Sequence, residues 1–398
     1  MPAFDRGNRR RRASGGARTL STQTTQLLHE LLNGLRVSIA SLQENDSRCV
    51  GVLPKRSRGG DEEIARLSRA VVGAMRHGDR TGAAHACIQL ADWTEEKLEL
   101  DLAISYARVA IDLDPSSAVA AYKAGRLARR LAVYEEAERL FKAAIERGRA
   151  ALDWETVSRA YAGLGRSQEQ QGEFEDAEAS HMRSLATALD HGLRELQSDG
   201  YHSLAVVAFE RDKTDEGVSY ARKALDACGA RKDRIAQLAH DLAYVWLIRE
   251  STPERVLSIF NEVLQVVEEP VRRLVVLANI AHSYGKLGDS AKFDGITSHV
   301  EALLGATSAF GENHAQALLD LGYGAAALGR DQQARRYAER SHAIAQKRKE
   351  LFVVAKAEDF LQELPRVGPD TNTFVRVGAL FNERRIDDLV YEIMEALR

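Results

Sequence analysis

The stretch "YEEAERLFKAAI", Tyr134–Ile145, decides the fold. Residues three and four apart share one face of a helix, so Ala137, Phe141 and Ala144 make a stripe in which small side chains flank a ring. One such stripe is a packing detail, whereas a stripe that recurs at fixed spacing defines an architecture. In "LDLAISYARVAIDLDP" (100–115), Ala103, Ala107 and Ala110 occupy the three places 34 residues upstream. Downstream, "FEDAEASHMRSL" places Ala177, His181 and Ser184 there, and "TDEGVSYARKAL" places Gly217, Ala221 and Ala224, each a 40-residue step on. Fainter copies surround Val256 and Phe260, Phe293, and Ala334 and Ala338. The stripe therefore occurs seven times.

Many copies follow a second helical stretch that is also rich in small residues: "AYKAGRLARRL" from Ala121, "YAGLGRSQEQQG" from Tyr161, "YHSLAVVAF" from Tyr201, "LANIAHSYGKLG" from Leu277 and "LLDLGYGAAALG" from Leu318. Two short helices and a tight turn thus make one unit. Gly172, Gly288 and Gly329 mark the turns, because glycine takes the positive φ that ends a helix without a Cβ penalty. Small residues at Gly125, Gly165, Ala205, Ala281 and Gly322 let the first helix come close to its partner. Since one helical hairpin cannot bury its apolar face alone, neighbours must stack on both sides.

Composition agrees with helices. Of the 398 residues only 7 are proline, and Ala, Leu, Glu and Arg, all strong helix formers, are frequent. The net charge of −3 hides an asymmetry, since residues 1–18 carry six arginines against Asp5 and leave −8 for the rest. No apolar run reaches the ~20 residues that a membrane span needs. With no signal-type hydrophobic stretch after the basic start, the sequence predicts a cytoplasmic protein. Cys49, Cys87 and Cys228 stand apart, without the ligand spacing of a zinc site or a disulfide framework, so no metal is expected.

With these units in place, the sequence resembles the tetratricopeptide repeat family. Tyr161, Leu164-Gly165, Gly172, Phe174 and Ala177 match the family pattern in one unit. Gly125, Tyr134, Ala137, Phe141 and Ala144 match it in the unit before, and Pro115 closes the first. The match is densest over 84–185 and extends to 345; Gln168 and Gly217 depart from it. The resemblance implies an all-α, right-handed solenoid of about seven helical hairpins with flanking N- and C-terminal helices. Its concave surface, lined by the first helix of each pair, would bind a peptide or protein. The family's chaperone-tail clamp, a Lys/Asn constellation across three repeats, is missing here.

The flanks divide the remaining chain. Residues 1–18 read as a disordered basic tail. Residues 19–45 read as an amphipathic helix with Leu28, Leu31, Leu32, Leu35, Ile39 and Leu42 on one stripe, which either docks on the solenoid or pairs with a second copy as a homodimer through 22–43. Residues 46–60 read as a linker, 61–364 as the solenoid, and 365–398 as capping helices with Ile386, Leu389, Val390, Ile393 and Leu397 on one face.

No phosphate-cradling loop, nucleophile elbow or His-Glu-x-x-His occurs, so neither an enzyme nor a cofactor is expected. Carboxylate pairs such as Glu95-Glu96 and Glu135-Glu136 read as solvated residues near helix starts. His181 reads as a half-buried packing residue. Carrying the family's groove positions over repeat by repeat gives Tyr122, Arg126, Arg129, Arg130, Arg159 and Arg166 early, then His202, Tyr244, Asn279, His282, Lys286 and Tyr323. Arginine's planar fork suits bidentate capture of a carboxylate, which points to an acidic segment as partner; the competing reading pairs these arginines with neighbouring glutamates. The first reading is a scaffold or adaptor, the second a regulatory sensor. Nucleic-acid binding through the arginine tail and groove is the weakest, since the body is acidic and lacks exposed stacking aromatics.

Overall fold

A computed structural model describes residues 22–43, 62–97, 99–249, 253–305, 311, 313–364 and 383–397. Among the described residues the chain forms eighteen α-helices and no strand. Seven antiparallel hairpins follow one another: α3 (Arg80–Glu96) with α4 (Leu100–Leu113), α5 (Ala118–Arg130) with α6 (Tyr134–Ala150), α7 (Trp154–Gln171) with α8 (Phe174–Asp190), and α9 (Arg194–Glu210) with α10 (Thr214–Cys228). Then come α11 (Lys232–Arg249) with α12 (Pro253–Val266), α13 (Pro270–Lys286) with α14 (Ser290–Gly305), and α15 (His314–Ala327) with α16 (Asp331–Lys347). Four helices flank them: α1 (Thr22–Gln43), α2 (Glu62–Arg76), α17 (Leu351–Glu363) and α18 (Glu383–Leu397). The expected basic tail (1–18) and linker (46–60) lie outside the described residues.

The repeated stripe forms the second helix of every pair, and it is buried throughout. Ala103, Ala107, Ala110, Ala137, Phe141, Ala144, Ala177, His181, Ala221, Ala224, Phe260, Phe293, Ala334 and Ala338 all have no exposed surface. The facing helix supplies room for the ring. A Cβ on Gly125 would lie 3.0 Å from Phe141, and one on Gly163 only 2.5 Å from it, so these positions hold glycine because Phe141 occupies the space. Turns within the hairpins share one geometry. The backbone N–H of Val133, Glu173, Lys213, Asp289 and Arg330 each reaches back to a carbonyl five residues earlier at 2.9–3.0 Å, around a left-handed residue. Glycine fills that place at Gly172, Gly288 and Gly329, whereas Ala132 and Asp212 adopt it against their preference.

Burial falls into three apolar clusters. One runs without a break from α1 to α7, a second joins α9 to α13 and α18, and a third joins α13 to α17. Between the first and second lies a polar seam. Ser158 Oγ donates to the Ser184 carbonyl at 3.0 Å, Ser184 Oγ returns the bond at 2.8 Å, and His181 meets Glu169 at 2.5 Å. His181 is therefore fully buried and hydrogen-bonded, not half-buried packing.

The flanking helices α1 and α18 both pack against the body of the chain. The α1 stripe is consumed within the chain: Leu28, Leu31 and Leu35 are fully buried in the first cluster, and Tyr106 Oη donates to the Leu28 carbonyl at 2.6 Å. Of the two alternatives for this stripe, the described residues show docking on α4. At the other end, α18 does not cap the last hairpin. Its Leu389, Ile393 and Leu397 join the second cluster against α10, α11 and α12, and Lys232 Nζ donates to the Leu397 carbonyl at 3.1 Å.

Candidate functional site

The first helices of successive hairpins bring the groove positions together in two groups. In the front group, Glu95 at the end of α3 is buried and gathers three cations from α5: Lys123 at 2.8 Å, Arg130 at 2.5 Å, and Arg126. Lys123 also pairs with Asp92. Burial, with the like charges of Arg126 and Arg130, drives the Lys123 ammonium down to about 7. The expectation of a solvated Glu95 near a helix start needs correcting: it lies in the last turn of α3, is buried, and holds three cations. The sequence signal was faint, because its partners come from 28 to 35 residues later in the chain.

The other front positions are mostly occupied within the chain. Arg129 is buried and donates to Gln170 at 3.2 Å, and Arg159 pairs with Glu155 on its own helix at 2.8 Å. Half-buried Tyr122 tilts toward Phe141 at 6.2 Å. Arg166, one repeat after Arg126, has no ion-pair partner among the described residues.

In the rear group hydrogen bonds replace ion clusters. His202 on α9 and His240 on α11 both bond Asp241, at 2.7 and 2.8 Å, and Asn279 Nδ2 on α13 donates to His240 Nε2 at 3.0 Å. That direction makes His240 Nδ1–H the donor to Asp241. Burial acts to raise the Asp241 pKa, but the bonds from both histidines outweigh it and hold the carboxyl below its usual range. One chain of contacts thus links three consecutive hairpins.

Deeper on the same face, Gln316 on α15 donates to Tyr244 Oη at 2.9 Å and to Asp320 at 3.3 Å. Asp320 is fully buried, and burial pushes its pKa up to about 7 against the weaker pull of Gln316, Lys356 and Tyr244. His282 lies 4.0 Å away, and burial together with the charge of Lys286 holds it down at about 3, a neutral ring. Tyr323 packs between His282, at 5.5 Å, and Phe360, at 4.5 Å. Lys286 reaches the Leu247 carbonyl. Three buried atoms, Asn279 Oδ1, His282 Nδ1 and Asp320 Oδ2, have no hydrogen-bond partner among the described residues. The structure brings Asp241, Gln316 and Asp320, which sit inside ordinary-looking helical text, together with the sequence-predicted Tyr244, Asn279, His282, Lys286 and Tyr323.

Among the described residues no group of His, Cys, Asp and Glu has the arrangement of a metal site, and no helix is long and apolar enough to cross a membrane. No protein-family model and no curated protein matches the chain. Solved structures do. A Rap protein complexed with Competence and Sporulation Factor superposes with a TM-score of 0.54 at 11% identity, covering 83% of this chain and 100% of that one. Aspartyl phosphate phosphatase F from Bacillus subtilis gives 0.50 at 14% identity over 71% and 72%. A signal transduction ATPase with a tetratricopeptide repeat sensor, from Pyrococcus horikoshii, gives 0.50 at 13% over 86% and 54%. Together with seven stacked hairpins and their repeated buried stripe, these likenesses show that the chain has the tetratricopeptide-type helical-repeat fold.

Proposed function

We propose that the inner face of the solenoid receives an extended segment of another protein, or a peptide, and that the chain works as a scaffold or adaptor. The carrying observation is the set of unpartnered buried atoms Asn279 Oδ1, His282 Nδ1 and Asp320 Oδ2. Burying a polar atom without a hydrogen bond is unfavourable by about 1–3 kcal/mol, so such atoms on a concave face suit a main chain that brings its own donors and acceptors. A regulatory sensor is the second reading. It draws support from the structural neighbours, one a Rap protein complexed with a Competence and Sporulation Factor and another carrying a tetratricopeptide repeat sensor.

An acidic segment remains the finer proposal for the front group. Arg126 beside Glu95 stays about one-third exposed, so its guanidinium can also meet a partner's carboxylate. Capture from native extract tests both levels, using the full chain, a front variant (R126A, R159A, R166A) and a rear variant (N279A, Q316A), all matched for helicity by circular dichroism. The reading predicts one specific protein held by the full chain and lost by the rear variant. Retention by both variants would overturn the groove assignment, while loss from the rear variant alone would remove only the acidic-segment detail.

A further inference from the structure

Besides packing on its neighbours in the stack, α17 (Leu351–Glu363) and the turn before it touch the early units. Arg348, on the turn entering α17, donates Nη2 to the Arg130 carbonyl at the end of α5, at 3.1 Å across 218 positions of sequence. Phe352 meets Phe174 edge to face with ring centres 5.0 Å apart. One turn further, Lys356 Nζ lies 3.3 Å from Glu210 Oε1 and 3.9 Å over the ring of Phe352. Arg130 ends α5, Phe174 follows the turn after α7, and Glu210 ends α9. The segment from Arg348 to Lys356 therefore lies across the turn edge of three consecutive hairpins.

The two sides of α17 are held differently. Toward its own end of the stack, Ala357 and Phe360 are buried in the apolar cluster that spans α13 to α17. Toward the front its contacts among the described residues include a hydrogen bond, a half-buried ring pair and a partly exposed ion pair, and the front and rear apolar clusters share no residue. Continuous apolar burial makes α17 move with α15 and α16, whereas isolated contacts of the second kind open and close more readily.

We propose that this contact is a releasable clasp, which closes the superhelix on itself and controls access to the inner face. Behind it lie Tyr244, whose ring centre is 6.0 Å from Lys356 Nζ, and the buried polar group around Asp320 and His282. In this closed form Asp320 and His282 are buried and Tyr244 is half-buried. Release would carry the last hairpin away from α7 and α9 and uncover them. The inference goes beyond the proposed binding role, and its test needs no partner.

Amide hydrogen exchange across α13 and α15, with the solution radius of gyration, measures the clasp in the full chain. Glu210→Lys sets two ammonium groups against each other, Glu210→Gln removes the attraction, and Phe352→Ala removes the ring contact. Exchange in α13 and α15 should rise about tenfold in E210K and in F352A, less in E210Q, with helicity kept and the radius enlarged. Salt should raise exchange in the wild type, because it screens the Lys356–Glu210 pair, and leave E210Q unaffected. Wild-type exchange and radius in both E210K and F352A, or the same salt response in E210Q as in the wild type, would overturn the clasp.

Discussion

The front and rear of the solenoid share one backbone plan yet line their inner faces by opposite means. In front, charge answers charge: one buried carboxylate, Glu95, holds Lys123, Arg126 and Arg130, above an apolar core that is continuous from α1 to α7. In the rear the core is split in two, and the groups are joined by hydrogen bonds, with an ionised Asp241 between two histidines and Asp320 and His282 buried side by side in their uncharged forms. The reason lies in helix spacing. On α13 and α15 the backbones touch, for a Cβ on Gly285 would run into the backbone of Gly324, and one on Gly324 would stand 3.0 Å from the His282 Cα. Groups trapped at so close a crossing lose their water, and desolvation favours their uncharged forms. A repeat unit fixes where side chains point, but the distance between its first helices decides which charge states they can hold.

The largest effect should come from the front core. Phe141 is fully buried and fills the space that Gly125 and Gly163 leave open, so Phe141→Ala creates a cavity that neighbouring backbone cannot close. The loss should be about 3–5 kcal/mol, read from urea denaturation by circular dichroism. A continuous front core further predicts that the variant melts α1 to α7 together, visible as a separate earlier transition if the polar seam at Ser158 and Ser184 uncouples the halves. A loss under ~1 kcal/mol would remove the ring from its central place in the front half.

The rear should show itself through pH. Burial raises Asp320 from 3.8 to about 7, so between those values the unfolded chain gives up a proton that the folded chain keeps, and stability falls as pH rises. Burial, then Lys286, lowers His282 from 6.5 to about 3, so between those values the unfolded chain binds a proton that the folded chain refuses, and stability falls as pH drops. From about pH 4 to 6.5 the two slopes oppose each other. Asp320→Asn should therefore unmask a steeper loss toward acid and be more stable than the wild type at pH 8. His282→Gln should unmask the loss toward neutrality. Parallel pH profiles for both variants and the wild type would break the contrast between an ion-clustered front and a rear in which Asp320 and His282 are held uncharged.

What the sequence made legible follows the range over which its signals act. Each stripe is set by residues three and four apart, and the left-handed turns at Gly172, Gly288 and Gly329 by single glycines, so the seven hairpins could be read locally. The positions that share the first helices' face could be listed by register, because the repeat carries one position into the next. Glu95 could not, since a carboxylate beside Glu96 looks solvated until Lys123, Arg126 and Arg130 arrive from the next hairpin. Asp320, inside "LLDLGYG", gives no local sign of full burial, which depends on α11, α13 and α17 closing round it. The α18 stripe announced that it must be covered; its site on α10, α11 and α12 depends on where the folded stack offers apolar surface.

The smallest expected effect is a control on the whole comparison. If the two halves differ only along the inner face, ion pairs on outer helices should count equally little in both. Arg108 pairs with Glu136 at 2.7 Å in front, and Arg340 pairs with Glu301 at 2.5 Å in the rear, in each case between successive second helices and with the arginine nearly half exposed. Exposed pairs gain little because water screens the charges and two long side chains must be held still. Arg108→Ala and Arg340→Ala should each reduce stability by less than ~1 kcal/mol, and by similar amounts, in the same urea experiment. A much larger loss at Arg340 than at Arg108 would mean that the rear depends on its outer surface to hold the stack together, and the contrast would then belong to the whole cross-section of the solenoid, not to its lining.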